Sequence, residues 1–409
     1  MDKKNTLLYL TIAGIVLGGF CGWMFGKSME QVAWLGEMFL DALKMLVIPL
    51  IVSSMIVGIS GLGDVRKVGL TGGVTLLYFM ITTGIAVVIG LVLVNIIQPG
   101  EGVSAAGVTL PERVSGKEEA GLVDIVKSFI SSNIVESMVK MEILPIIIFS
   151  LAFGGVLTTL GEKGQAAIDF FDTVNLAIMK MVHIVMYFAP IGIFGLVSSK
   201  LGAAGGGEMF LAELAKIGKY VFTVIAALLI HAVVVLPLFL KIFGKRNPLE
   251  YFKQMSEAIL TAFSTASSSA TMPVTIDCAE ERAMISRKAC LFVLPLGATV
   301  NMNGTALYEA VAALFIAQMF DIQLGFTGQA IVFLTATLAA IGAAGIPEAG
   351  LVTMVMVLQA AGLPLEGVGM LLAIDWFLDR CRTSVNVWSD SVGAAVIDQL
   401  EKDYNLGGK

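Results

Sequence analysis

The sequence predicts an all-α polytopic membrane protein, and three observations support this prediction. Hydrophobic residues make up 57% of the 409 residues and charged residues only 14%, whereas soluble proteins carry about 25% charged residues. Many apolar runs are long enough to cross a bilayer as helices, and the mean hydropathy is +0.88. In the last third of the chain, polar breaks interrupt the apolar runs in two segments that match in kind. The net charge of −6 gives no sign of a nucleic-acid partner.

Six apolar spans are expected before residue 250. Basic residues follow the second span at Arg66 and Lys67, and the sixth span from Lys241 to Arg246. The positive-inside rule places these turns, and with them both termini, in the cytoplasm. We predict the spans at 7–25, 35–62 (interrupted by Lys44 and Pro49), 68–97, 125–160 (broken near Lys140, Glu142 and Pro145), 166–201 (bent near Pro190) and 209–240. Polar segments at 98–121 and 203–208 are expected outside.

After residue 250, two short hairpins are predicted, each followed by a long helix with polar residues at its centre. The first hairpin has an apolar stretch at 256–263, a serine-rich tip at 264–273 and a second stretch to Cys278. The second hairpin, at 328–362, has two apolar halves around a glycine-rich tip at 342–350. The first apolar stretch covers about a third to a half of a bilayer at 1.5 Å per residue. The first hairpin enters from the cytoplasm and the second from outside, so the repeats are inverted. Such pairs indicate the midplane site of a secondary transporter.

The final helix carries a charged face. Asp375, Asp379, Arg382, Asn386 and Asp390 follow steps of three or four residues and therefore share one side of a helix. A charged face within a membrane by default marks a substrate or ion pathway, and a solvated surface helix is the alternative.

Glu309 lies in an apolar run, one turn after the polar break at 301–305. A carboxyl group buried in such surroundings can exchange protons near neutral pH. Two interpretations stay open: a proton carrier, and a partly solvated or arginine-paired carboxylate.

The remaining polar residues and cysteines allow other interpretations. The serine cluster fits a flexible loop or the nucleophile of an intramembrane hydrolase, but no nearby polar segment supplies the histidine that such a nucleophile needs. His183 and His231 lie in apolar runs and are interpreted as interior histidines. The four cysteines show no metal-binding spacing.

Four motifs together resemble the dicarboxylate/amino acid:cation symporter family, which includes excitatory amino acid transporters and archaeal aspartate transporters. They are Ser267–Thr271, Asn301–Thr305, Ala344–Pro347 and Asp379–Val387. The resemblance implies a glutamate transporter homologue fold with eight transmembrane helices, two re-entrant hairpins, a homotrimer and an elevator mechanism. The scaffold would comprise 1–67 and 125–202. The transport domain would comprise 68–98, 203–249 and a core at 250–409, with 99–124 as an extracellular loop.

The resemblance also implies roles for individual residues. Arg382 would hold the side-chain carboxylate of the substrate with support from Thr305, Asp379 and Thr383 would hold the ammonium group, and Asn386 would bind the α-carboxylate. The backbone around the ligand would come from Ser268, Ser269, Ile346 and Gly350. Asp379 favours an amino acid over a plain dicarboxylate, and Arg382 favours aspartate or glutamate over a neutral substrate.

Three sodium sites follow from the same resemblance. The first would use Gly297, Asn301, Asn386 and Asp390, and the second the backbone of Thr299, Ala340, Ile341 and Ala343. The third would use Thr82, Thr83, Asn301 and Asn303, but Phe79 and Asn303 replace a tyrosine and an aspartate of the family. Losing a carboxylate weakens a site for a hard cation, so this third site is in doubt.

Glu309 matches the proton carrier of the mammalian members. Ala266 and Arg380 also match the eukaryotic arrangement, in which an arginine comes from the last helix. We therefore expect a symporter for L-glutamate or L-aspartate in the plasma or inner membrane, driven by Na+ and/or H+, with K+ counter-transport left open and no organic cofactor. The alternatives are a carrier of C4-dicarboxylates or neutral amino acids, and an ion channel.

Overall fold

The computed structural model describes residues 3–60, 69–102, 127, 129–203, 208–343, 345 and 349–404, and every regular element within these residues is helical. The predicted outside segments at 98–121 and 203–208 fall mostly on residues beyond these ranges. The all-helical class predicted from the sequence is therefore confirmed for the described chain.

Before Asn247, the described part of the chain forms nine α-helices. Their bounds are α1 Lys3–Phe25, α2 Ala33–Ser60, α3 Gly69–Ile97, α4 Ile134–Lys140, α5 Ile143–Thr159, α6 Glu162–Tyr187, α7 Ala189–Ala203, α8 Glu208–Ile230 and α9 Leu236–Ile242. A 3₁₀ segment, Gly26–Val32, precedes α2, and a π-helical segment, His231–Val235, joins α8 to α9.

Two predicted breaks occur where the sequence placed them, and one does not. The fourth span breaks between α4 and α5, where Met141 takes a left-handed conformation with φ of 56°. The fifth span breaks at Phe188, just before Pro190. The interruption predicted at Pro49 is wrong, because α2 continues through it while packing against α5, α6 and α7. Neighbouring helices allow a proline within a membrane helix.

The last 160 residues contain both hairpins and both long helical segments. The bounds are α10 Pro248–Thr265, α11 Ser268–Asp277, α12 Arg287–Val300, α13 Asn303–Met319, α14 Phe326–Gly342, α15 Ala349–Ala360 and α16 Val368–Tyr404. A second π-helical segment, Cys278–Arg282, follows α11, and a 3₁₀ turn, Leu365–Gly367, precedes α16.

The first hairpin differs from its prediction in two respects. Its first arm begins at Pro248 rather than near residue 256, because Asn247 caps the helix by accepting from the amides of Leu249 and Glu250. Its tip is only Ala266 and Ser267, since Ser267 caps α11 and most of the predicted serine-rich tip is helical. Serine is a preferred N-cap residue. The polar tail predicted from residue 401 is likewise helical as far as Tyr404.

The helices pack in two groups. In one group, α1 contacts α7, and α2 contacts α5, α6 and α7. In the other group, α13 is buried along nearly its whole length and contacts α3, α14, α15 and α16. The groups meet where α14 and α15 contact α2 and where α16 contacts α7. This arrangement encloses the polar centre of α16.

Three described helical runs are long and apolar enough to cross a membrane: Thr71–Ile97, Ile217–Ile242 and Arg287–Met319. Shorter apolar helices are Ile48–Ser60, Ile143–Thr159, Ala189–Ser199, Phe326–Ile341 and Ala349–Ala360. Large apolar side chains such as Val88, Phe222 and Leu229 are exposed on the outer faces of the long runs. Such faces suit contact with lipid.

Candidate functional site

A small cavity lies where the two hairpin tips, the break between α12 and α13, and the middle of α16 meet. The described residues that line it are Ala266, Ser268, Met302, Thr305, Gly345, Ala349, Gly350, Asp379, Thr383 and Asn386. Six of the residues that the resemblance assigned to substrate are among them: Ser268, Thr305, Gly350, Asp379, Thr383 and Asn386. Ile346 lies outside the described residues. The cavity is therefore built by elements more than 100 residues apart in sequence.

Arg382 is the central charge of this site, and it is completely buried. Its Nη1 donates to Oδ1 of Asp375 at 2.8 Å, and its Nη2 donates to Oδ1 of Asp379 at 2.7 Å. The guanidinium also lies over the ring of Tyr308, with Cζ 4.0 Å from the ring centroid. A buried charge is tolerated when it is paired and hydrogen-bonded, and here two carboxylates share one arginine.

Gly350 lets the second hairpin approach the guanidinium. A Cβ at this position would lie 3.1 Å from Cζ of Arg382, tighter than ordinary van der Waals contact. Any larger residue would therefore separate α15 from the arginine or displace it.

Asn386 connects α16 to the start of α13. Its Oδ1 accepts from the Gly304 amide at 2.8 Å, and its Nδ2 donates to Oγ1 of Thr305 at 3.1 Å. A Cβ at Gly304 would lie 2.6 Å from the backbone oxygen of Arg382, so only glycine permits this approach of the two helices. On α16 itself, the Thr383 hydroxyl donates to the Asp379 carbonyl at 2.8 Å.

The two hairpin tips contact each other directly. The Gly345 carbonyl accepts from the Ser267 hydroxyl at 2.6 Å and from the Ser269 amide at 3.0 Å. Ser269, predicted among the substrate contacts, thus lies at the contact between the tips rather than in the cavity lining. These bonds join the two tips beside the cavity.

A second polar cluster surrounds Asp390, further along α16. Asn301 donates from Nδ2 to Oδ1 of Asp390 at 2.9 Å and to Oγ of Ser389 at 3.0 Å. A Cβ at Gly297 would overlap the Asp390 carboxylate, which places this glycine against it. The structure therefore brings together Gly297, Asn301 and Asp390, whereas the side chain of Asn386 is engaged one turn away at Gly304 and Thr305.

The residues of the doubtful third sodium site join the same cluster. Thr83 donates to Oδ1 of Asn303 at 2.6 Å, and Thr82 lies 3.5 Å from Oδ1 of Asn301. Asn303 donates from Nδ2 to Oγ of Ser389 at 2.7 Å. The Asn303 amide is therefore occupied by protein partners on both of its sides.

His231 also belongs to this cluster, which sequence reasoning missed. Its Nε2 lies 3.1 Å from Nδ2 of Asn303, and the ring is fully buried. His231 is therefore an interior histidine as predicted, but the packing of α8 and the π-helical segment beside α16 brings it to polar residues that are distant in sequence. The side chain of His183 is outside the described residues.

The backbone set of the second predicted sodium site lies at the facing ends of α12 and α14. Thr299 is in the last turn of α12, and its hydroxyl is bound to the Leu296 carbonyl at 3.1 Å. Ala340 and Ile341 end α14, and Ala343 follows it. The two helices contact each other.

Glu309 is completely buried on α13 and faces α15. Its carboxylate lies near the Thr353 hydroxyl and the Arg382 charge, but neither oxygen reaches a partner in good hydrogen-bonding geometry. A buried carboxyl group in this position is a candidate for taking up a proton or another cation.

Tyr308 is the second residue that sequence reasoning missed. It lies three residues after Thr305 and packs its ring against Arg382. The i, i+3 spacing from Thr305 could have indicated a shared helix face. The sequence alone does not distinguish this aromatic residue from the other apolar residues of α13.

An all-helical membrane chain whose described helices place paired hairpins, a broken helix and a charged helix around a shared cavity has the architecture of a secondary transporter. Comparison with known proteins agrees with this class. The sequence matches the sodium:dicarboxylate symporter family over residues 7–400, and the chain belongs to that family.

Similar proteins include an excitatory amino acid transporter of Caenorhabditis elegans, 38% identical over 98% of this chain and 88% of its own length. Human excitatory amino acid transporter 3 is 38% identical over 98% of this chain and 86% of its own. Human excitatory amino acid transporter 2 is 39% identical over 98% of this chain and 79% of its own length. The resemblance inferred from the four motifs is therefore confirmed.

Proposed function

We propose that this protein is a secondary active symporter that takes up L-glutamate or L-aspartate with cations. The observation that supports this most directly is the buried Arg382 beside a cavity between two hairpin tips, with Asp379 as its nearest acid in the cavity wall. The names of the similar transporters support the same substrate class.

The site suits the charges of an acidic amino acid. The guanidinium fork matches the side-chain carboxylate, and Asp379 takes the ammonium group once the ligand displaces it from Arg382. Asp375 then remains as the second partner of the arginine. The α-carboxylate would lie near Asn386 and the N-terminus of α11, where the helix dipole favours an anion.

Charge balance gives a physical reason for cation coupling. Arg382 with Asp375 and Asp379 leaves one excess negative charge, and an acidic amino acid adds another in a site with little water. Unbalanced buried charge is costly. Cations bound nearby, at Asp390 and at the backbone set of Thr299 and Ala340, would lower this cost.

We propose Na+ for the Asp390 site, because a carboxylate and neighbouring oxygens are ligands for hard cations. At the doubtful third site Asn303 offers a neutral amide in place of a charged carboxylate, and its Oδ1 already accepts a hydrogen bond from Thr83. We therefore propose that no sodium binds there. Glu309 is proposed as the proton-carrying residue, with K+ as its replacement during the return step.

The proposed architecture has eight spans and two re-entrant hairpins, with residues 1–67 and 125–202 as a scaffold. The remaining helices form a transport domain that moves as an elevator within a homotrimer in the plasma or inner membrane. The two packing groups of helices support this division.

Uptake into proteoliposomes tests the function. With an imposed inward Na+ gradient, labelled L-glutamate should accumulate above its external concentration, which a channel would not achieve. Aspartate and succinate make a matched pair of competitors, since they differ in the ammonium group that Asp379 would bind. Stronger competition by succinate or by alanine than by aspartate would reject the acidic amino acid as substrate.

The hydrolase alternative is tested in the same assay. Ser269→Ala removes the hydroxyl group that lies beside Gly345. Retained uptake in this variant would rule out a nucleophilic role of Ser269 in the function of the protein.

A further inference from the structure

His231 occupies an unusual position in the fold. It is the first residue of the π-helical segment His231–Val235, which lies between α8 and α9 within one apolar run. The next residue, Ala232, accepts a hydrogen bond through its carbonyl from Nε1 of Trp388 at 3.0 Å. The π-helical segment is thus bound to α16 directly beside Ser389 and Asp390. Single π-turns within helices occur frequently at functional sites.

The contacts of Asn303 define what His231 does. Because the Thr83 hydroxyl donates to Oδ1 of Asn303, the amide nitrogen is left to face both Ser389 and His231. Nε2 of His231 is therefore positioned to accept from this nitrogen.

A continuous chain of hydrogen bonds leads from this ring to Asp390. Asn303 binds Oγ of Ser389, and the same oxygen accepts from Nδ2 of Asn301 at 3.0 Å. That nitrogen also donates to Oδ1 of Asp390 at 2.9 Å. All these side chains are buried, so none of them can exchange a lost partner for water without cost.

We propose that His231 is a positioning residue for the cation site at Asp390. Its Nε2 fixes the Asn303 amide, which in turn holds Ser389 and Asn301 in place against the Asp390 carboxylate. This inference rests on the proposed cation symport, since it assigns His231 to the Na+ dependence and not to substrate contact. The cavity lining does not include His231.

The experiment compares His231→Leu with His231→Gln in purified protein. Leucine removes the acceptor, whereas the Oε1 of glutamine can replace Nε2. We expect the Na+ concentration for half-maximal glutamate binding to rise about fivefold in the leucine variant, as for the loss of one hydrogen bond. Glutamate affinity at saturating Na+ should stay within about twofold, and the glutamine variant should return to near wild-type Na+ dependence.

Asn303→Ala provides a second test that leaves the histidine in place. It should raise the Na+ requirement similarly, and adding His231→Leu to it should cause no further rise. An unchanged Na+ dependence in folded His231→Leu or in folded Asn303→Ala would overturn the positioning role. The same conclusion would follow if His231→Leu and His231→Gln lost Na+ affinity and glutamate affinity to the same extent. Wild-type glutamate binding that is independent of Na+ would instead reject the proposed symport, and the role of His231 with it.

Discussion

At the scale of single residues, the site depends on one cation shared between two acids. Arg382 is held by Asp375 and Asp379 within hydrogen-bonding distance, and its ring partner Tyr308 fixes the plane of the guanidinium. Asp375 is one helical turn from Asp379 and lies further from the cavity lining. One acid can therefore stay bound to the arginine while the other is released to a ligand.

Replacing Arg382 by alanine should weaken L-glutamate binding by about 10- to 100-fold, since a hydrogen-bonded charge pair contributes about 1.5–3 kcal/mol. It should also lower the melting temperature, because Asp375 and Asp379 lose their shared partner in a buried site. Isothermal titration and thermal unfolding check both effects. Arg282→Ala is the control, because that exposed arginine pairs with Glu257 far from the cavity. Unchanged glutamate affinity in Arg382→Ala would contradict the site.

Glu309→Gln should flatten the pH dependence of uptake while leaving Na+-dependent glutamate binding in place. Glutamine keeps the shape of the side chain near Thr353 but cannot carry a proton. The measurement is the initial uptake rate across a pH series, with Glu280→Gln on the π-helical segment after α11 as a control. A pH profile in Glu309→Gln that follows that of wild type would count against the carrier role.

At the scale of secondary-structure elements, the sequence predicts which segments are broken better than where they turn. The short apolar lengths around Pro273 and the polar residues at 301–305 correctly indicated a hairpin and a broken helix. The turn itself was displaced by several residues, because a serine run is equally compatible with a loop and with a capped helix start. The hydrogen bond that the Ala270 amide donates to Oγ of Ser267 shows that this serine caps a helix.

The position of His231 marks a different limit. It is 72 residues away from Asn303 in sequence, and its run is uniformly apolar. No local periodicity connects the two, because the contact arises from packing of the π-helical segment near α16. By contrast, the charged face of α16 follows from residue spacing within one helix. The sequence could therefore predict that the polar side chains of this face lie together at the site.

The contact between the hairpin tips should control how long substrate stays bound. Ser267→Ala removes a hydrogen bond to the Gly345 carbonyl and the cap of α11, and we expect glutamate to dissociate about fivefold to tenfold faster. Ser264→Ala is a matched control, because Ser264 is exposed and donates to the Leu260 carbonyl of its own helix. Stopped-flow displacement measures both rates, and equal rates for the two variants would mean that the tips do not hold the ligand.

At the scale of the whole molecule, acids at the end of α16 connect several helices. Asp398 lies 3.8 Å from Arg246, Glu401 pairs with Lys288 at 2.9 Å and Asp403 pairs with Lys245 at 2.8 Å. Thr71 at the start of α3 also donates to Glu401 at 3.1 Å. These partners all come from segments assigned to the proposed transport domain: Lys245 and Arg246 lie between α9 and α10, Lys288 in α12 and Thr71 in α3. Exposed ion pairs contribute little stability. We therefore expect these contacts mainly to connect the ends of the helices of this group to one another.

A disulfide between the two proposed domains should therefore stop transport, whereas a disulfide within the scaffold should not. A Cβ at Gly369 of α16 would lie 2.9 Å from Cβ of Leu196 on α7, and a Cβ at Gly18 of α1 would lie 3.2 Å from Cβ of Val197. Both separations come within reach of a disulfide after a small adjustment. Leu196→Cys with Gly369→Cys joins scaffold to transport domain, and Gly18→Cys with Val197→Cys joins two scaffold helices.

Both pairs should be placed in a variant whose four cysteines are replaced and whose uptake is first shown to match wild type. Oxidation of the pair between the domains should reduce uptake to background while glutamate binding persists, and a reductant should restore it. The scaffold pair should retain most of its uptake when oxidised, since the proposed elevator does not move those two helices relative to each other. Full uptake by the oxidised cross-domain pair, with the disulfide verified by mass spectrometry, would show that α16 does not slide past α7 and would reject the elevator.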